Sequence, residues 1–70
     1  MNEYELMSRL IERELDKAYD ELAKWHKTFK ELWEFSGTNE YYAAKEELEK
    51  AKANCLFWIQ AEKDHYAMSA

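Results

Sequence analysis

No proline interrupts this chain of 70 residues, and its one glycine, Gly37, stands close to the midpoint. Proline and glycine are the strongest breakers of a helix, so a chain almost free of them suits long unbroken helices. Around the glycine, Ser36-Gly37-Thr38-Asn39 combines a residue free to take the left-handed C′ conformation with two good N-caps. The two halves therefore read as helices over about residues 3–36 and 39–68, each about 45–50 Å long at about 1.5 Å per residue. A link of about three residues forces such helices antiparallel. The expected fold is all-α, one helical-hairpin domain of two antiparallel helices. The alternative is a single helix running through Gly37 into a long coiled coil.

Local signals agree with the hairpin. Asn2 is a good N-cap, and Glu5 three residues later completes a capping-box-like pair. Thr38 or Asn39 caps the second helix, with Glu40 well placed in its first turn. Glu5 with Arg9, Asp20 with Lys24, and Glu46 with Lys50 are acid-first pairs four apart. Apolar residues recur at helical spacing through Tyr4, Ile11, Leu15, Ala18, Tyr19, Leu22, Trp25, Phe29, Leu32 and Trp33, with Met7 at the edge of the stripe. The second stripe runs through Tyr41, Ala44, Leu48, Ala51, Cys55, Trp58 or Ile59, Glu62 and His65 or Tyr66.

Composition limits the classes that remain. An apolar content of 47% with 16% aromatic residues is too high for a disordered chain. So short a domain buries only about 60% of its unfolded surface and usually needs staples or partners. Cys55 is the only cysteine, so no internal disulfide can form. One cysteine and two histidines, His26 and His65, do not make a four-ligand zinc cage. Met1-Asn2-Glu3-Tyr4-Glu5 lacks the basic and apolar regions of a signal peptide, and no apolar run approaches the roughly 20 residues of a membrane span. A soluble cytoplasmic protein with no membrane contact and no cofactor is expected.

Two helices share one contact, yet the apolar residues here cover more than one face. Residues 53–61 read Ala-Asn-Cys-Leu-Phe-Trp-Ile-Gln-Ala, without a charge. With Leu48 pointing inward, Cys55 and Ile59 follow it, Leu56 points sideways and Phe57 points to the back. Leu6, Leu10 and Phe35 lie off the first stripe in the same way. Leaving such side chains in water forfeits about 1.5–3 kcal/mol each, and a few of them rival the whole stability of a small domain. The expected remedy is a two-fold homodimer forming a four-helix bundle, with a heterologous protein or a tolerated patch as alternatives. Met7, Leu10, Leu56, Phe57 and Trp58 are the expected contact residues. Trp33, Phe35 and Tyr42 near the turn, beside Trp25, form a second candidate contact.

Glu62 stands on the centre line of the second stripe, where a carboxylate needs a partner, and His65 follows at i+3. Glu62-x-x-His65 resembles the pair that ferritin-like di-iron carboxylate bundles place on two helices, with single glutamates from the other two. That resemblance implies Glu12 and Glu14 as the further carboxylates when two hairpins meet. The simpler account is that Glu62 reaches solvent or pairs with Arg9 or Arg13, so no metal site is expected. His26, one turn from Leu22 and Phe29, reads as a partly buried structural histidine, with no nucleophile or acid beside it to suggest catalysis. Cys55 reads as a small hydrophobe in the seam.

Lys24, Lys27 and Lys30 alternate with Trp25, Phe29 and Trp33, a pattern that can bind single strands through phosphate contacts and stacking. The lysines sweep the polar side while the aromatics point inward, and the net charge of −5 repels phosphate. Residues 1–23 hold seven acids and three bases, so the end of the hairpin away from the turn is acidic. Acidity there can steer a basic protein surface, or mimic DNA in part. The expected function is a non-enzymatic protein-interaction module that associates with itself and with a target protein. Small size and acidity suit an accessory or inhibitor protein of the kind phages and mobile elements encode. A metal-binding bundle and a nucleic-acid-binding hairpin are the alternatives.

Overall fold

The computed structural model describes residues 2–68, and it is a helical hairpin measuring 50 × 17 × 13 Å. Helix α1 spans Glu3–Glu31, a short 3-10 turn spans Trp33–Phe35, and helix α2 spans Asn39–Ala67. Asn2 Oδ1 accepts from the Glu5 amide at 2.8 Å, so the first helix starts where its cap predicts. Thr38 caps the second, its hydroxyl accepting from the Tyr41 amide at 3.2 Å and donating to the Phe35 carbonyl at 2.7 Å. One threonine thus closes the turn and opens α2.

The regular part of the first helix is shorter than the expected 3–36. It stops at Glu31, where the Leu32 amide is shared between the Thr28 and Phe29 carbonyls. The 3-10 turn then satisfies carbonyls that would otherwise be orphaned, through Phe35 N to Leu32 O and Ser36 N to Trp33 O. Gly37 carries the reversal at φ 95°, a conformation that costs a residue with a Cβ about 1–2 kcal/mol. A Cβ there would meet nothing within 4 Å, so the demand is one of backbone conformation alone.

The core is a single seam. Ile11, Leu15 and Ala18 are buried on α1, and Ala44, Leu48, Ala51 and Cys55 on α2. Half-buried Leu22, Trp25 and Phe29 continue the first row, and Trp58, Glu62 and buried His65 continue the second. Steps of four and three residues alternate along both rows, the spacing that keeps one narrow face toward a neighbouring helix. Because the seam takes Ala18 and Trp25, the next residues turn away from it. Tyr19 and His26, both expected inward, are exposed, as is Trp33. At the turn, Phe29 lies 5.0 Å from Tyr41 between ring centroids and closes the hairpin with an aromatic contact.

Charged pairs are sparse. Of the three acid-first pairs expected, Glu46–Lys50 closes at 3.5 Å, and Lys50 also reaches Glu47 at 3.6 Å. Glu47 and then Glu46 raise the Lys50 ammonium above its ordinary value. No helix among the described residues is long and apolar enough to cross a membrane.

Candidate interaction surface at the open end

Away from the turn the two rows part around a polar pair. Ser8 Oγ and His65 Nε2 lie 2.8 Å apart across the helices, and the Tyr4 ring stacks on the imidazole at 4.1 Å between centroids. Tyr66 flanks the same imidazole at 5.5 Å. His65 is the one buried polar side chain among the described residues, 9% exposed. Burial of an imidazole is tolerable here because the Ser8 hydroxyl satisfies one ring nitrogen and the Tyr4 ring covers one face. The pair occupies seam positions, Ser8 one step before Ile11 and His65 one step after Glu62. Its geometry is that of a buried histidine with a hydroxyl partner on one ring nitrogen.

Beside this pair the hairpin opens into a groove of about 480 Å³. Ile11, Trp58 and Ala61 line it together with Tyr4, Met7, Phe57 and Met68. Glu3 and Asp64 contribute carboxylates and His65 its edge. Phe57 is 62% exposed and stands edge-on to half-buried Trp58, with 5.1 Å between ring centroids. On the other flank of α2, Leu56 is 66% exposed. A shallower hollow on α1 is formed by Leu6, Arg9, Leu10 and Arg13.

Met7, Leu56 and Phe57 are thus exposed, while Leu10 and Trp58 are half-buried. Trp33, Phe35 and Tyr42, near the turn, are exposed at the far end of the molecule and form a separate patch. Trp25 is half-buried, donates its indole N–H to Glu21 at 3.2 Å, and carries the Lys24 ammonium 5.3 Å above its ring. Lys24 and Trp25 therefore do share a surface, contrary to the separation of lysines from aromatics expected along this helix.

The metal candidates do not come together in one hairpin. Glu12 is exposed, Glu14 turns to Lys17 at 3.8 Å, Glu62 is half-buried, and His65 is engaged with Ser8. Among the described residues no three His, Cys, Asp or Glu side chains group as a metal site. The feature that periodicity did not single out is Ser8, whose spacing from Tyr4 and Ile11 was the available signal. No known protein family, curated protein or solved structure was found to match the chain.

Proposed function

We propose that this chain is a non-enzymatic protein-interaction module, and that its binding surface is the open-end groove with its Phe57 rim. The observation that carries the proposal is the exposure of Leu6, Met7, Leu56, Phe57 and Met68 at one end of a hairpin whose own core is a single narrow seam. Each such side chain contributes about 1.5–3 kcal/mol when fully covered. A partner therefore gains from that end what the hairpin itself cannot use. Self-association into a four-helix bundle is the first mode of covering, and a target protein is the second. The acidic rim of Glu3 and Asp64 favours a basic surface on that target. A cytoplasmic setting belongs to the proposal, because the buried, unpaired Cys55 suits a reducing compartment.

Sedimentation of the purified chain tests this directly. A dimer or larger species is expected, and Phe57→Asp should weaken it while leaving the helical circular dichroism unchanged. A wild-type chain that stays monomeric at every concentration removes self-association from the proposal. Failure of Phe57→Asp to alter any binding event removes the groove.

A further inference from the structure

Resting on the reading of the open end as an interaction surface, we infer that its first partner is a second copy of this chain. The two copies pack α2 against α2, antiparallel, with Phe57 near the two-fold axis. Three observations meet at that arrangement.

The first is area. The chain exposes 5491 Å², whereas a compact globule of its 8.5 kDa exposes about 4,650 Å². The excess of about 800 Å² equals what one partner contributes to an interface of standard size.

The second is charge. Lys50 and Asp64 lie seven residues before and after Phe57 on one continuous helix, so all three share a face. All three are exposed. A two-fold axis at Phe57 reverses the sequence of the partner helix, so each Lys50 falls opposite the Asp64 of the other copy. Two copies with a net charge of −5 each thereby gain two opposite-charge contacts where their overall charge would repel. Asp64 Oδ1 accepts from Gln60 Nε2 at 2.9 Å, and Lys50 reaches Glu46 at 3.5 Å and Glu47 at 3.6 Å, so each contact across the axis joins an existing network on its own helix.

The third is shape. Four residues either side of Phe57 stand Ala53 and Ala61, which leave room for the two helices to approach closely around the ring. Three residues either side stand Asn54 and Gln60, on opposite flanks of this face, so the Asn54 of one copy comes over the Ala61 of the other, and Gln60 over Ala53. Reading outward, each amide on one copy thus meets a small residue on the other, and each Lys50 meets an Asp64.

Exchange of charge tests the arrangement with exposed side chains only. Lys50→Asp alone sets a new carboxylate against Asp64, and Asp64→Lys alone sets a new ammonium against Lys50. Each variant alone should dissociate about tenfold more readily than wild type in sedimentation equilibrium. An equimolar mixture of the two should restore a heterodimer of nearly wild-type affinity, because every contact is then of opposite sign. Melting curves of both variants confirm that the hairpin persists. If both variants self-associate like wild type while Phe57→Asp does not, the groove remains an interaction surface and this arrangement is wrong. If the wild-type chain is monomeric throughout, the second copy is not the partner and the face serves another protein.

Discussion

The two ends of the hairpin expose aromatic side chains to a similar degree, yet they are held together by different means. At the turn, Trp33, Phe35 and Tyr42 surround a covalent link that Thr38 and Gly37 fix with local hydrogen bonds and one left-handed residue. The open end has no link between α1 and α2. There the helices are joined by Ser8, His65 and the stacked Tyr4, and the apolar surface around them forms a groove. Exposure alone therefore does not mark a binding site. The proposed binding surface lies where nothing local holds the chain, since covering it would both bury area and fasten the end.

Changes ordered by size test that contrast. Leu48 is in the middle of the seam and 5% exposed, so Leu48→Ala should cost about 2–5 kcal/mol and lower the melting temperature of the whole molecule. Equal loss of protection at both ends in hydrogen exchange is expected. Loss confined to one end would show that the ends fold separately. His65→Ala removes the bond to Ser8 and the stack on Tyr4, with an expected cost of about 1–3 kcal/mol. Hydrogen exchange should speed up around residues 60–67 before it does at the turn, and a uniform change would erase the contrast between the ends.

Gly37→Ala acts at the other end. It should cost about 1–2 kcal/mol through backbone strain alone, because no neighbour obstructs the new methyl group. The proposed self-association should be unchanged, and a variant that also lost it would tie the turn to the proposed binding surface. Thr38→Ala removes the cap of α2 and should cost about 1 kcal/mol, read from a thermal melt. The smallest expected effect is none: iron or manganese should leave the melting temperature unmoved, since Glu14 turns to Lys17 and His65 is engaged with Ser8.

What could be read from the sequence follows the range of each interaction. Asn2, Gly37 and Thr38 act on neighbours within four residues, so their roles were legible without knowing how the helices pack. Leu48 and Cys55 were legible because helical spacing repeats along the seam. Tyr19 and His26 escape a reading by periodicity because they adjoin the seam residues Ala18 and Trp25, and a wide stripe at 100° per residue does not separate neighbours. The early end of α1 depends on how the chain crosses to α2, which hydropathy does not encode. The Ser8–His65 bond spans 57 residues in sequence, and only the register of the two helices creates it. Glu62 reads as the inward polar residue, whereas the seam buries His65 one turn later and leaves Glu62 half-buried.

Cys55 has a use beyond packing. Its thiol is 4% exposed, lies in the seam, and is the only one in the chain. A thiol reagent can reach it only when α1 and α2 separate, so its labelling rate is a clock for the breathing of the hairpin. Slow labelling at high protein concentration and faster labelling on dilution would measure, in one residue, how much of the closed lifetime each molecule owes to its neighbours.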